Sequence, residues 1–459
     1  MLKNLIKDYR NPWFWVPTLY FAEGIPYFVV NNISVLMLAK MGVPNGEMAL
    51  FTSLLYLPWT IKPFWSPFVD IIKTKRWWIL TMQILMTAAF ILLTLLMPHP
   101  DAALIASGKT PISMFYITLI LFVVTAFASA THDIAADGFY MLALTQNKQA
   151  EFVGIRSTFY RISSIFGQGV LVWIAGHIES TTGNIPLSWQ LTMLVTAAIF
   201  ACVTLYHTFF LPAPKSDHSS LDAKNAAEGG DASAVAAKPT AGEIFREFGR
   251  TFVTFFTKKG IWLAIVFMLL YRLPEAFLIK MCTPFLVASK NVGGLGMSTE
   301  AVGLAYGTVG VLALTIGGIL GGVWASKVGL KKSLWVMAAC MTLPCLTFVY
   351  LSTYLPSNIV VICVAIAVEQ FGYGFGFTAY MLYMIYSSEG EFKTSHYAIC
   401  TAFMALSMMI PGMFAGYIQE ALGYEGFFWM VIVCCIATLF VTFLADRKID
   451  PEYGRKEAE

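Results

Sequence analysis

Long apolar runs dominate the chain, and short stretches that gather charge, glycine or proline separate them. Crossing the hydrocarbon of a bilayer takes about 20 mostly apolar residues in a helix. Runs of that length lie at 14–38, 48–68, 77–97, 112–139, 156–178, 188–211, 261–288, 299–325, 333–353, 359–386, 396–418 and 427–445. In lipid a segment must satisfy its own backbone hydrogen bonds, so each run is predicted to be a helix. The pattern therefore predicts an all-α membrane protein with 12 transmembrane helices, numbered 1 to 12 below. The first run is long and carries Glu23, and no small-residue cleavage site follows a compact apolar core. It is read as a retained helix, not a removed leader.

The widest gap falls midway, at 212–260, and divides the chain into an N-terminal six-helix bundle (1–211) and a C-terminal six-helix bundle with a short tail (261–459). Residues 213–241 are rich in Ala, Ser, Gly, Asp and Lys, a composition that predicts a disordered linker. Beyond them Ile244, Phe245, Phe248, Phe252, Phe255 and Phe256 recur at helical spacing, with Glu243, Arg246, Glu247 and Arg250 between. That predicts an amphipathic helix lying on the inner leaflet. Six helices, a linker and six helices suggest an internal repeat. Leu19 to Glu23 in helix 1 is echoed by Leu270 to Glu275 in helix 7, and Asp70, Lys73, Lys75 and Arg76 after helix 2 by Gly329, Lys331 and Lys332 after helix 8.

Composition agrees: 58% of residues are hydrophobic and 12% charged, more apolar surface than a water-soluble chain can hide. The net charge of +3 gives no reason to expect a nucleic-acid partner. The 8 cysteines lie in apolar stretches and read as small buried hydrophobes. With both termini in the cytoplasm, most of the 30 lysines and arginines fall on cytoplasmic segments, and only Lys40, Lys109 and Lys290 on the opposite side. The positive-inside rule therefore orients the chain with both termini cytoplasmic.

Ionisable groups within the spans are costly and usually face a cavity or a partner. The acids are Glu23, Asp133, Asp137, Glu275 and Glu369; the bases are Lys62, Arg161, Arg272 and Lys280. On helix 4, Ser129, Asp133 and Asp137 share one face, with His132 beside them. Two carboxylates one turn apart disfavour joint ionisation, which suits proton uptake and release. Alternatively, either acid simply neutralises Arg161 on helix 5. Helix 1 lines up Tyr20, Glu23, Tyr27 and Asn31, and helix 7 offers Tyr271, Arg272, Glu275 and Lys280 around Pro274. Tyrosine and asparagine suit hydroxyl- and amide-rich ligands, while Arg272 and Lys280 suit a carboxylate or phosphate. An Arg272–Glu275 pair within the helix is the other reading. Glu369 has no basic neighbour on its own helix, and the alternate glycines of Gly372 to Gly376 allow close packing or bending. Arg161, Ser164 and Gln168 form a polar face on helix 5. No nucleophile elbow, phosphate loop or metal-spaced histidine cluster stands out, so no enzyme activity, metal or cofactor is expected.

Three motifs, in order, resemble one branch of the major facilitator superfamily. Pro58 to Asp70 resembles its helix 2 signature Lys-x-x-Trp-[Ala/Ser]-Pro-x-x-Asp, His132 to Gly138 its helix 4 signature Gln-Asp-Ile-x-x-Asp-[Gly/Ala], and Gly24-Ile25-Pro26 its helix 1 Gly-[Leu/Ile]-Pro motif. The branch includes AmpG-type muropeptide permeases and acetyl-coenzyme A transporters. His132 stands where the branch often has Gln. The resemblance implies a proton-driven importer of a large anionic solute, such as anhydromuropeptides, in the bacterial inner membrane. It singles out Lys62, Asp70, Asp133 and Asp137.

The resulting expectation is a monomeric carrier whose bundles rock about a midplane site. Tyr20, Tyr27, Asn31, Arg161, Gln168, Tyr271, Arg272 and Lys280 are expected to bind substrate. Glu23, Asp133, Asp137, Glu275 and Glu369 are proton-site candidates, and Lys62, Asp70 and Arg76 are assigned to the cytoplasmic gate. A carrier of another solute (a coenzyme A thioester, siderophore or drug) and a non-transporting sensor are the alternatives.

Overall fold

The computed structural model describes residues 11–144, 146–214, 217, 241–390, 393–451 and 453. The expected disorder of 213–241 concerns a segment that lies almost wholly outside them.

Among the described residues, nine helices are long and apolar enough to cross a membrane. Length and composition alone thus fall short of the expected count, for three local reasons. Helix 2 comes as Asn45–Leu54 and Leu57–Ile71, interrupted before Pro58 and carrying Lys62. Helix 5 runs unbroken through Gln146–Ile165, Phe166–Leu171 and Val172–Thr182 but begins polar. Helices 11 and 12 form one element, Lys393–Asp446, broken at Gly423, whose φ of 69° only glycine adopts without strain.

The remaining helices are Pro12–Lys40, Lys75–Leu95, Ile112–Ala143, Ile185–Phe210, Ile261–Val287, Thr299–Val328, Leu330–Tyr354 and Ile359–Ser388. Side-chain caps start several of them. Asn11 Oδ1 accepts from the Trp13 amide at 3.1 Å, Thr74 Oγ1 from Trp77 at 3.1 Å, and Asn184 Oδ1 from Leu187 at 3.0 Å. Helices 1, 5 and 8 each contain a π-helical stretch: Val29–Ile33, Phe166–Leu171 and Gly303–Gly310. Such stretches loosen the backbone at functional positions. Large apolar side chains such as Leu95, Phe209, Trp262 and Ile436 lie on the exterior, where lipid covers them.

The packing differs at the two ends of the molecule. At the end away from the linker, called distal here, one continuous apolar core draws on both halves, from Ala22 to Phe200 and from Phe277 to Val431. At the linker end the core splits in two. One cluster, from Trp15 to Leu211, belongs to the N-terminal half, and another, from Phe255 to Ile449, to the linker helix and C-terminal half. The halves thus share one apolar core distally and keep separate apolar cores near the linker.

The amphipathic helix forms over Ala241–Phe256. Among its described side chains, protein covers part of the apolar face. Phe255 is fully buried against His396 and Phe403, and Phe252 reaches Phe64 of helix 2, ring centroids 5.3 Å apart. Lys258 Nζ donates to the carbonyls of Ser387 and Glu389 at 3.0 and 2.7 Å, fixing its C-terminal end to helix 10. Burial there holds the Lys258 amine below its ordinary pKa. The linker helix straps the two separate clusters together.

Candidate functional site

None of the nine intramembrane ionisable residues lies on the exterior. Glu23, Arg272, Glu275, Lys280 and Glu369 are buried, and Lys62, Asp133, Asp137 and Arg161 half-buried.

In the N-terminal half, helices 1, 2, 4 and 5 bring five charged groups into one cluster. Trp59 Nε1 donates to Asp133 Oδ2 at 3.0 Å, and Lys62 Nζ stands 3.7 Å from the same oxygen. Asp133 Oδ1 is buried without a hydrogen-bond partner, as is Glu23 Oε2. Asp137 Oδ1 pairs with Arg156 Nη2 at 2.7 Å and accepts from the Tyr20 hydroxyl at 3.2 Å, and the Arg156 guanidinium also lies over the Tyr20 ring at 4.4 Å. The neutralising partner of Asp137 is therefore Arg156, not Arg161, one turn and more away along helix 5. Lys62 serves Asp133 within its own half, so it does not bridge to the other bundle.

Arg161 instead points across the interface, its Nη1 donating to Thr315 Oγ1 of helix 8 at 3.4 Å, and no carboxylate pairs with it among the described residues. Arg76 also stays in its own half, donating to the carbonyls of Leu211 and Thr208 at 3.1 and 2.8 Å. The side chain of Asp70 lies outside the described residues, so its gating role finds no placement.

In the C-terminal half Arg272 is consumed internally. Its Nε and Nη2 donate to both oxygens of Glu275 at 2.8 and 2.7 Å, Nη2 also to the Tyr373 hydroxyl at 3.0 Å, and Phe377 covers the guanidinium at 4.7 Å. Proline at the start of Leu273–Val287 breaks the helix at Tyr271–Arg272, which aims Arg272 along the helix toward Glu275. Tyr271 is corrected too: it is fully buried in the bundle core and donates to the Gly376 carbonyl at 3.2 Å. Glu369 Oε2 accepts from Gln370 Nε2 at 2.8 Å inside the same bundle.

Between the halves lies a small central cavity of about 20 Å³, measured to the centre of a water molecule. That is room for one or two waters. Asn31, Asn32, Tyr56, Lys280, Thr283 and Tyr306 supply its polar lining. Tyr27 packs on Trp59 beside it (5.2 Å, 84°), and its carbonyl accepts from Asn31 Nδ2 at 3.1 Å. Gln168 lies off to the side, donating to Ser164 Oγ at 2.9 Å.

Above the cavity the distal end is closed by contacts that the hydrophobicity pattern did not single out. Glu179 Oε1 pairs with Lys40 Nζ at 2.7 Å while Oε2 accepts from Thr299 Oγ1 of the other half at 2.5 Å. The Gly46 amide donates to Glu420 Oε1 at 2.7 Å, and Asn45 Nδ2 to Gln419 Oε1 at 2.7 Å. A Cβ at Gly416 would overlap the Asn45 carbonyl, and one at Gly176 the backbone of Glu300. These residues sit at span ends, where charge is cheap, so composition gave them no weight. A second buried network also escaped notice: His132, Gln83, His207 and Thr18 link helices 4, 3, 6 and 1 through contacts of 2.9–3.1 Å.

Comparison with known proteins places this geometry. A family profile described as Major Facilitator Superfamily matches residues 18–389 and 273–459. "Putative transporter AmpG 4" of Rickettsia felis is 24% identical over 98% of this chain and 100% of its own length. "Anhydromuropeptide permease" of Escherichia coli K12 is 23% identical over 95% of this chain and 80% of its own length. Among solved structures, a D-xylose-proton symporter superposes with a TM-score of 0.66 at 14% identity, covering 93% of this chain and 96% of that one. A bacterial homologue of the lysosomal transporter Spinster gives 0.64 at 15% identity, covering 96% and 98%.

Proposed function

The chain belongs to the major facilitator superfamily, and from that premise we propose that it imports a large anionic solute, an anhydromuropeptide, by proton-coupled alternating access in a bacterial inner membrane. Relatives named AmpG and anhydromuropeptide permease support the solute class. The positive-inside rule supports a cytoplasmic linker end, so the closed distal end faces outward.

The observation that carries proton coupling is a count of charges. Glu23, Asp133 and Asp137 are three acids, and Lys62 and Arg156 are two bases. One negative charge is left over, and the two acids deepest in the cluster, Glu23 and Asp133, lie where an unbalanced charge is expensive. A proton cancels it, and Asp133 Oδ1 and Glu23 Oε2 are the oxygens without partners that can hold it. Solute enters through an outward opening, protonation accompanies it, and the distal seal closes behind both. The central cavity is too small for a muropeptide in the closed state, so the halves must part to admit one. Arg161, with no carboxylate of its own, attracts the anion along the interface.

Uptake of labelled anhydromuropeptide into proteoliposomes, with and without an inward proton gradient, tests the reading. The gradient should drive accumulation in the wild type. Asp133→Asn should lose that accumulation at least tenfold, since a proton site contributes a difference on the order of 1.4 kcal/mol or more, while solute exchange at equal pH persists. Normal accumulation by Asp133→Asn would refute the proton assignment.

A further inference from the structure

Among the described residues, Lys280 is the one cation lining the central cavity. It is only 6% exposed, and its Nζ has no hydrogen-bond partner. The other basic groups in the spans are otherwise engaged: Lys62 with Asp133, Arg272 with Glu275, Arg161 with Thr315. Among the described residues, no carboxylate lines the cavity beside Lys280. An ammonium removed from water without a counter-charge is among the least stable arrangements a protein holds, so something outside the chain is suited to complete it. Around it stand neutral polar groups: the Tyr56, Tyr306 and Thr283 hydroxyls and the amides of Asn31 and Asn32.

We propose that this cavity is the anchoring subsite for a single carboxylate of the transported solute, with Lys280 Nζ as its counter-ion and the surrounding hydroxyls as its hydrogen-bond donors. The inference rests on the transport reading and deepens it by naming the chemical group that is held. Two features select a carboxylate. One cation balances one negative charge, whereas a phosphate dianion leaves a charge uncompensated in a dry site. The space, about the size of one or two waters, fits a two-oxygen planar group and not the rest of a large solute. Asn31, Tyr56, Thr283 and Tyr306 come from helices 1, 2, 7 and 8, so the anchored carboxylate touches both halves. Its arrival favours the state in which those helices converge.

The test uses the full chain in proteoliposomes preloaded with anhydromuropeptide, following exchange of the tritiated form. Two competitors are compared, one with free carboxylates and one with all carboxylates amidated. In the wild type the amidated competitor should be at least about tenfold weaker, the scale of one hydrogen-bonded charge. In Lys280→Met the two should compete within about twofold, and Lys280→Arg should keep the preference. A preference that survives Lys280→Met overturns the subsite while leaving transport intact. If the wild type exchanges no anhydromuropeptide, the solute assignment fails instead. The subsite is then judged by thermal unfolding in detergent with sodium acetate against sodium chloride at equal ionic strength. Acetate should raise the wild-type Tm and not that of Lys280→Met. Equal responses in the two proteins, or a rise with inorganic phosphate in place of acetate, overturn it. Lys280→Met should itself melt no lower than the wild type, because it removes an unpaired buried charge.

Discussion

Arg272 shows how a single side chain can be read correctly as important and wrongly as available. The sequence marks it as a costly cation in a span and offers both a ligand role and a pair with Glu275. Only the three-dimensional arrangement decides, because Tyr373 and Phe377 from helix 10 close over the guanidinium and leave it no free face. The pair is almost fully buried, so removing one partner strands the other. Arg272→Met should destabilise the protein by roughly 3–5 kcal/mol, and Arg272→Met combined with Glu275→Leu should recover most of that loss. Thermal unfolding in detergent, run as a double-mutant cycle, checks it; additive losses would show that the pair is not a unit. The same limit applied to Asp137. Its need for a base was legible from helical spacing, but Arg156 stands at the very start of the apolar run 156–178, and its identity as the partner needed the packing of helix 5 on helix 1.

Elements were read more reliably than their neighbours. Hydrophobic length located the spans, and it missed only where polar work is done inside them: Lys62 in helix 2, the polar start of helix 5, and the Gly423 turn between helices 11 and 12. The stripe of phenylalanines announced the linker helix but not what covers it, since a stripe fixes which face is apolar and not whether lipid or protein meets it. Phe255 is the side chain on which the docking depends. Phe255→Ala should weaken the strap by about 3 kcal/mol, raising amide exchange and protease cleavage over 241–256 while the bundle helices stay protected. Unchanged exchange would mean that lipid, not the His396–Phe403 surface, holds the helix.

At the scale of the molecule, the split core is the feature that no sequence pattern revealed. Apolar runs mark where a span lies but not which residues of the other half it meets, so hydropathy carries no information about which end joins its counterpart. The distal closure owes its tightness to backbone meeting backbone at Gly416 and Gly176. Gly416→Val inserts a side chain where the Asn45 carbonyl stands, and such overpacking costs on the order of 1–3 kcal/mol. That is enough to shift a two-state balance about five- to 150-fold toward distal separation. Spin labels at the exposed positions Thr182 and Ser357, on opposite halves, should then report longer distances than in the wild type. An unchanged distribution would place the seal elsewhere.

The seam along the distal edge also sets the mechanical advantage of the molecule. A helix of 30 residues is about 45 Å long, so a turn of only about 10° about that edge swings the far tips by roughly 8 Å. Interfaces that slide little at the pivot thereby open a wide mouth at the other end. The chain that crosses from one half to the other does so at that widest point, and even with Ala241–Phe256 held as a docked helix the 29 residues of 212–240, at up to about 3.5 Å each, are long enough to span such a swing. Leverage at one edge and a long connection at the other would let a small local change become a large excursion without stretching the polypeptide.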